Sequence, residues 1–434
     1  MEGGRMIPVE VKLWGTTVGA LSQGSGDDFA FFEYNPDFVR SGIEPAPITM
    51  PVRAGAIYRF PELSPATFHK LPGLFADSVP DKFGNKIIDQ WLIQNGRAPQ
   101  SFSALERLCY TGSRGVGALE FYPATGPDSV KSEPLEIERL RALAANILDQ
   151  RKRVKVKLRE KNAFEQIVRV GTSAGGARAK VLVAYDDATK TVLSGQVPAP
   201  KGYGYWLLKF DDIENNRDKE SADPAGFGAL EYTYSEIAKE AGIDMTECRL
   251  LVDGDHRHFM TRRFDRTENG GKLHYQSLAA IAHYDFNIAG AYSYEQAFAV
   301  ARQIGLTTAD IEQVYRRAVF NICARNQDDH TKNIGFLMDK RGDWSLAPAF
   351  DVTYAYNPAG RWTGTHQMTF NGKREKFSLD DFKTVAKNAG LVQGRYKRIL
   401  EQVQDALADF KKRAKANDVP KKLAQEVEKN IIKF

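Results

Sequence analysis

The sequence predicts an α+β protein of two lobes, in which a β-rich N-lobe precedes an all-helical C-lobe and an additional N-terminal β-rich subdomain comes first. Apolar runs with period-two alternation dominate the chain up to about residue 266. From residue 277 onward, apolar residues recur at helical spacing. Residues 123–134, rich in Pro, Gly, Ser and Asp, form the clearest linker. We therefore expect a subdomain at residues 1–128, an N-lobe at 129–262 and a C-lobe at 263–434.

The first region is predicted to hold a mostly antiparallel sheet. Residues 9–14 and 18–21 alternate on either side of a Gly-Thr-Thr turn, which indicates a hairpin. Residues 29–34 and 119–122 are further expected strands. Between them, residues 82–95 and 101–111 show the spacing of helices.

The second region begins with an expected helix at residues 135–151 and continues with apolar runs at 166–170 and 180–185. We expect both runs to be strands joined by a loop of small residues. Three glycines in that loop let backbone N–H groups approach a phosphate closely. The loop lacks the Gly-Lys-Ser/Thr ending of a Walker A motif, which disfavours a P-loop nucleoside triphosphatase. A plain hairpin turn is the alternative interpretation.

A lysine in an apolar strand is the next notable feature. Lys209 lies between Leu208 and Phe210, where an unpaired ammonium group would be costly to bury. Phosphotransferases of the protein-kinase type place a phosphate-binding lysine in such a strand and pair it with a helical glutamate. Glu231, at the start of an amphipathic segment at residues 229–241, is the candidate partner. The alternative is a solvent-facing lysine on an edge strand.

A final strand pair of the N-lobe is expected at residues 249–252 and 258–266, and it leads into a hinge. His256 and His258 alternate along it and are expected at the surface. Helices are then expected at residues 293–304, 308–323, 378–390, 392–414 and 420–432.

A polar loop between two apolar segments carries the strongest chemical signal. Asp328 and Asn333 have the D-x-x-x-x-N spacing of a kinase catalytic loop, where the aspartate takes a hydroxyl proton and the asparagine holds Mg²⁺. Asp351 follows in an otherwise apolar segment, where such enzymes place a second metal ligand. The alternative is a solvated loop with a helix-capping aspartate. Together these residues predict a protein-kinase-like fold.

Composition sets limits on the function. The chain has 434 residues and a formal net charge of only +5, which does not argue for a dedicated nucleic-acid binder. Three widely spaced cysteines imply no disulfide framework and favour a reducing, cytoplasmic compartment. The seven histidines form no cluster typical of a zinc site. No apolar run is long enough to span a membrane, so we expect no membrane contact.

Several motifs together resemble the HipA family of bacterial serine/threonine kinase toxins from type II toxin–antitoxin systems. Residues 328–333 resemble the family's D-x-H-x-K-N motif, and residues 350–352 resemble its metal-binding segment. The nucleotide loop S-x-x-G-x-x-x-K corresponds to residues 173–180, and R-F-D-R corresponds to residues 263–266. The resemblance extends over nearly the whole chain.

The resemblance implies ATP and Mg²⁺ as cofactors and a role for each matching residue. Asp328 would be the general base, while Asn333 and Asp351 would hold Mg²⁺. Lys209, paired with Glu231, would bind the ATP phosphates. Further residues implied to contact ATP are Ala174, Gly175, Gly176, Ala177, Arg178 and Lys180 of the loop, Arg262, Arg263 and Phe264 of the hinge strand, and His330, Lys332 and Phe350. Ser173 would be a site of autophosphorylation.

The resemblance also implies partners. A small helix-turn-helix antitoxin similar to HipB would bind the protein and connect it to operator DNA. The acceptor would be a protein such as an aminoacyl-tRNA synthetase, and the activity would lead to persistence. Two alternatives stay open: a small-molecule kinase of the aminoglycoside or choline kinase type, and a non-catalytic co-repressor subunit.

Overall fold

Alternating apolar side chains build the first sheet of the computed structural model, which describes residues 8–24, 26–126, 134–148, 166–167, 170–171, 178–213 and 225–434. Its strands are β1 (Val9–Leu13), β2 (Thr16–Ser22), β3 (Phe31–Tyr34), β4 (Ile57–Tyr58) and β5 (Leu119–Tyr122). They pair antiparallel in the order β4-β3-β2-β1-β5. Every second residue of β1 is buried, which is the pattern expected of a sheet with one face on the core. The predicted N-terminal hairpin is confirmed.

Five α-helices lie between β3 and β5 in the chain. They are α1 (Pro36–Val39), α2 (Pro65–Phe68), α3 (Gly73–Ala76), α4 (Lys82–Gln94) and α5 (Ala104–Thr111). Asp81 caps α4 by accepting a 2.6 Å hydrogen bond from the backbone N–H of Gly84. Ser103 and Glu106 form a capping box at the start of α5. The two longer helices confirm the predictions for this region, although α5 begins three residues later than expected.

The N-lobe is a second antiparallel sheet, in which β8 lies at the centre. Its strands are β6 (Lys180–Tyr185), β7 (Val192–Ser194), β8 (Gly204–Lys209), β9 (Cys248–Asp253) and β10 (His256–Arg262), in the order β7-β6-β8-β10-β9. Helix α6 (Ile137–Leu148) packs beside this sheet, and α7 (Phe227–Glu240) follows β8. Lys209 pairs across the sheet with Lys180 on one side and Phe259 on the other. An edge-strand position for Lys209 is therefore excluded.

Two predictions for the N-lobe are wrong. Gln166, Ile167 and Val170 have helical backbone rather than the expected strand. Ile167 and Val170 are three residues apart and both fully buried in the core that contains α4 and α6, a spacing that suits a helix face. His258 is also fully buried rather than at the surface, because β10 is an inner strand with neighbours on both sides. Its Nδ1 accepts a hydrogen bond from the backbone N–H of Asp211, and burial lowers its pKa to about 4.

The C-lobe is mainly helical. Its helices are α8 (Leu278–Ala282), α9 (Tyr294–Gln303), α10 (Thr308–Ala324), α11 (Leu379–Asn388), α12 (Arg395–Ala408), α13 (Phe410–Ala416) and α14 (Lys421–Asn430). A small sheet of β11 (His274–Ser277), β12 (Gly335–Met338) and β13 (Trp344–Leu346) adds to the expected helices. All four residues of β12 are buried, and so short an apolar run does not distinguish a strand from a helix in the sequence. Within the described residues, no helix combines the length and hydropathy of a membrane span.

A buried charge cluster joins the N-terminal subdomain to the hinge. Arg263 donates to both carboxylate oxygens of Asp265 at 2.9 and 2.8 Å, and Arg266 donates to the same carboxylate at 2.8 Å. The backbone N–H of Gly117 donates to Asp265 at 2.8 Å, and Arg266 reaches the carbonyl of Gly115 at 3.0 Å. Burial raises the pKa of Asp265, but the two guanidinium groups outweigh burial and leave it well below its ordinary value.

Replacing Asp265 with asparagine is expected to lower the free energy of unfolding by about 3–5 kcal/mol, because two buried guanidinium groups lose their counter-charge. Since the folded-state pKa is depressed, this stabilisation is present above the unfolded-state pKa of about 3.9 and is lost as pH falls below it. Urea unfolding at several pH values measures both effects. The exposed Asp37→Asn variant is the control, and equal stability of the two variants at neutral pH would contradict the prediction.

Candidate active site

Lys209 lies where the N-lobe sheet meets the C-lobe, and its ammonium group contacts two carboxylates. Its Nζ is 2.6 Å from Oε1 of Glu231 on α7 and also contacts Oδ1 of Asp351. Arg178 contacts the other Glu231 oxygen at 2.6 Å. Burial disfavours the charged ammonium, but Asp351 and Glu231 outweigh it and raise the pKa of Lys209. The predicted pairing of Lys209 with Glu231 is present, and the lysine is held charged between the two lobes.

Helix α7 fixes the position of Glu231. Leu230, Tyr234 and Ile237 on this helix are buried in the core of the C-lobe. The hydroxyl of Tyr234 donates to the carbonyl of Ala324 at the end of α10. Because α10 ends directly before the polar loop at residues 326–333, α7 links the lysine strand to that loop. The sequence places Glu231 on a helix but gives no signal of this packing.

Asp351 has an unusual backbone. Its φ is +53°, a left-handed conformation that costs energy for residues other than glycine and is often found at functional sites. Burial raises the pKa of its carboxyl, but Lys209 and Lys180 outweigh burial, so the pKa lies well below its ordinary value. Its side chain is still 32% exposed, which leaves the charged carboxylate accessible to a cation.

The two adjacent aspartates of this polar loop have different environments. Asp329 is buried and accepts hydrogen bonds from the hydroxyl of Tyr294, from Nδ1 of His366 and from the backbone N–H of Gln367, all at 2.8–2.9 Å. The side chain of Asp328 is 43% exposed and faces outward. Asp329 therefore holds the loop, and Asp328 is the carboxylate that can meet an acceptor. Sequence reasoning missed the structural role of Asp329.

The residues present fit a magnesium ion. The side-chain nitrogen of Asn333 donates to the backbone carbonyl of Asp328 at 2.8 Å, so its side-chain oxygen is the atom that could bind a cation. Asp351 supplies a charged carboxylate, and Mg²⁺ prefers such oxygen ligands. No three His, Cys, Asp or Glu side chains among the described residues are arranged for a metal ion. Two protein ligands suit Mg²⁺, because substrate phosphates and water usually fill the rest of its coordination shell.

Four further predicted residues make contacts of their own. Nε2 of His330 is 3.7 Å from Oδ1 of Asp328, and Nζ of Lys332 lies 5.3 Å from the ring of Phe286. Phe264 and Phe350 pack ring to ring at 5.5 Å on the hinge side. Their proposed contacts with ATP stay predictions.

The two arginines of the hinge strand differ. Arg262 is 41% exposed and 3.7 Å from Glu247, so its guanidinium is accessible. Arg263 is buried, and its guanidinium is bound to Asp265 and to the carbonyl of Gly195 at 3.1 Å. Arg263 is therefore engaged in joining the subdomains, and its expected place on the adenine side is untested.

Lys180 has a partner that the sequence did not indicate. Its Nζ is 3.3 Å from Oδ2 of Asp81, the residue that caps α4 in the N-terminal subdomain, and both side chains are 3% exposed. Burial lowers the pKa of Lys180, and Asp81 and Asp351 offset part of this shift. The N-terminal subdomain thus contributes a charge beside the candidate nucleotide site. The remaining loop residues of the prediction, Ser173, Ala174, Gly175, Gly176 and Ala177, lie outside the described residues.

Two family models match this chain. Residues 9–122 match the HipA N-terminal domain, and residues 172–410 match the HipA-like C-terminal domain. The chain belongs to the HipA family. Both of its characteristic domains are present, and the second contains Lys209, Glu231, Asp328 and Asp351.

Curated relatives of this HipA-family protein are named as kinases. "Putative kinase Y4mE" of Sinorhizobium fredii is 24% identical over 425 residues, which cover 92% of this chain and 91% of the relative. "Putative kinase Y4dM" of the same organism is 25% identical over 234 residues, or 50% of this chain and 53% of the relative. The match with Y4dM thus spans about half of each protein.

A solved structure has the same fold. The HipA structure from Shewanella oneidensis, determined as a toxin–antitoxin complex of HipA, HipB and operator DNA, aligns with a TM-score of 0.64. The alignment covers 98% of this chain and 95% of that chain at 14% identity. At this identity the similarity shows the fold alone. The two-lobed, kinase-like α+β fold predicted from the sequence is confirmed.

Proposed function

We propose that this protein is an ATP- and Mg²⁺-dependent protein serine/threonine kinase and the toxin of a type II toxin–antitoxin module. The contact of Lys209 with both Glu231 and Asp351 carries the proposal. In protein kinases, the pairing of the strand lysine with a helical glutamate belongs to the active arrangement. Glu231 of the buried helix α7 and Asp351 of the C-lobe thus meet the same ammonium group.

The chemistry follows from positions and charges. The acceptor oxygen attacks the γ-phosphorus of ATP, its proton passes to Asp328, and the bond to the leaving oxygen of ADP breaks. Lys209 neutralises phosphate charge, and the buried Glu231 holds the lysine in place. Mg²⁺ held by Asn333 and Asp351 would supply further neutralisation of the phosphates. Phosphoryl transfer depends mainly on positioning and charge, so these groups suffice.

The acceptor class is testable in one assay. The purified protein, ATP and Mg²⁺ are incubated with cell lysate proteins and, separately, with aminoglycosides and small alcohols. We expect label on serine and threonine residues of a protein, such as an aminoacyl-tRNA synthetase. Label on the small molecules alone would instead identify a small-molecule kinase.

The proposed partners are those present in the solved HipA structure. Its structure contains HipB and operator DNA, which supports a small helix-turn-helix antitoxin for this chain and an indirect contact with DNA. Cytoplasmic localisation and a role in persistence belong to the same proposal. If a neighbouring gene encodes a small helix-turn-helix protein, its co-purification with this chain would test the proposed antitoxin partner.

Replacing Lys209 with alanine is expected to raise the Kd for ATP by about 10-fold to 100-fold, which corresponds to a loss of about 1.4–2.7 kcal/mol for a charged contact. Calorimetric titration with ATP and Mg²⁺ measures the change. The exposed Lys190→Ala variant controls for loss of one positive charge. Unchanged ATP affinity would show that Lys209 has only a structural role.

Ser173 is the proposed site of autophosphorylation. A phosphate adds about −1.5 to −2 charge, which would repel the phosphates of ATP in the same loop. Incubation with ATP and Mg²⁺ is expected to add one phosphate at Ser173 while activity falls, and fragmentation must distinguish it from the adjacent Thr172. Ser173→Ala should block the modification and Ser173→Asp should mimic the inactive form. Full activity of a completely phosphorylated sample would refute this switch.

A further inference from the structure

A tryptophan contacts the proposed catalytic base. Nε1 of Trp362 donates a 2.6 Å hydrogen bond to Oδ1 of Asp328. The two residues are 34 positions apart, and Trp362 is half-buried. Nε2 of His330 also lies 3.7 Å from the same oxygen, and the rings of His330 and Trp362 are 6.2 Å apart. Nε1 of Trp362 and Nε2 of His330 thus both lie on the Oδ1 side of Asp328.

Buried groups fix the segment that carries this tryptophan. His366 and the backbone N–H of Gln367 both bind the carboxylate of Asp329, at 2.9 and 2.8 Å. The side chain of Gln367 also donates to the carbonyls of Trp362 and Thr365, the latter at 3.0 Å. His366 and Gln367 are almost fully buried, so these contacts hold residues 362–367 against the catalytic loop. The position of the indole is therefore built into the fold.

The chemistry of an indole suits this place. Its N–H is a donor only, so it can orient a carboxylate without accepting the proton that the carboxylate must take. With Oδ1 bound to the indole, Oδ2 is the oxygen on which the acceptor proton can be received. A carboxylate with one oxygen fixed also cannot rotate freely away from the acceptor, and misplacement by about 1 Å can reduce a rate by about 10²-fold.

We propose that Trp362 is a positioning residue of this kinase, which orients Asp328 so that Oδ2 faces the hydroxyl of the acceptor protein. This inference rests on the proposed function. Trp362 acts through Asp328 and does not contact ATP in this role. It differs from an autoinhibitory contact, in which the indole would block the base and its removal would increase the rate.

The test removes the indole N–H but retains an aromatic ring at position 362. Trp362 is replaced by phenylalanine and, in a second protein, by the isosteric benzothienylalanine, in which sulfur stands in place of the indole N–H. We expect kcat for acceptor phosphorylation to fall by about 10-fold to 100-fold in both, with an unchanged KM for ATP. Trp14→Phe is the matched control, because it removes an indole hydrogen bond of 2.8 Å to Lys272 at a distant site.

Each outcome decides the inference. A rise in kcat would show an autoinhibitory contact, and an unchanged kcat in the benzothienylalanine protein would show that the hydrogen bond has no role; either result overturns the inference. A fall in unfolding free energy and in ATP affinity together, with kcat unchanged, would show a purely structural role. If the wild-type protein is active, Asp328→Asn lowers its rate and both Trp362 variants keep the wild-type kcat, this inference fails while the proposed function stands. An inactive wild-type protein would contradict both the role of Trp362 and the proposed kinase function.

Discussion

Replacing Asp328 with asparagine is expected to lower the rate of phosphoryl transfer by about 10²–10⁴-fold, the usual contribution of a general base, while ATP binding stays close to that of the wild-type protein. The amide cannot take the proton of the acceptor hydroxyl. Its oxygen can still accept the hydrogen bond from Trp362, and the side chain is 43% exposed, so the fold should not change. Initial rates at saturating ATP, combined with calorimetric ATP binding, measure the two effects separately.

Two neighbouring variants sharpen this prediction. Asp343→Asn changes an exposed aspartate of the same lobe and should leave the rate unchanged. Asp329→Asn should lower stability, because Asp329 is buried and accepts three hydrogen bonds. Near-wild-type turnover in Asp328→Asn would remove this residue from the mechanism.

Replacing Asp351 with asparagine is expected to reduce turnover by about 10³-fold or more and to weaken Mg²⁺-dependent ATP binding. The change removes a negative charge where a divalent cation and Lys209 need one, and losses of this size are typical for charge stabilisation in the transition state. Asparagine adopts left-handed backbone readily, so the φ of +53° can be kept. Lys209 also keeps its contact with Glu231.

Titrating Mg²⁺ at fixed ATP concentration separates the effect on the metal from the effect on the fold. The Asp351→Asn protein should need more Mg²⁺ for half-maximal ATP binding and should stay folded at neutral pH, although the buried Lys209 loses one of its two counter-charges and the unfolding free energy falls. Identical Mg²⁺ curves for the two proteins would show that Asp351 is not a metal ligand.

Candidate site residues that interrupt the hydrophobic pattern of their own segment were predictable from the sequence. Lys209 interrupts an apolar strand, Asp351 is the carboxylate of an apolar segment, and Asp328 and Asn333 have a diagnostic spacing. Each breaks the hydrophobic pattern of its own element, and such breaks are expected at functional sites. The pairing of Lys209 with Glu231 could be inferred because both belong to one strand-and-helix unit.

Residues whose role depends on distant packing were not predictable. Asp81 has the signature of an ordinary helix cap, and nothing in its neighbourhood indicates that its second oxygen faces Lys180. Trp362 lies in a segment without regular periodicity, and its contact with Asp328 depends on the buried groups of residues 366 and 367. The error at residues 166–170 has the same origin, because a short apolar run fits either a strand or a helix until its packing partners are known.

The most direct test of the account is transfer of the γ-phosphate from labelled ATP to protein acceptors in a lysate, with wild-type and Asp328→Asn proteins compared with and without Mg²⁺. Mass spectrometry identifies the modified residues. The account predicts phosphoserine or phosphothreonine that appears only with the wild-type protein and only with Mg²⁺. Equal labelling by both proteins, or no labelling of protein or small-molecule acceptors by the wild type, would contradict the claim that Lys209, Asp328 and Asp351 form a phosphotransfer site.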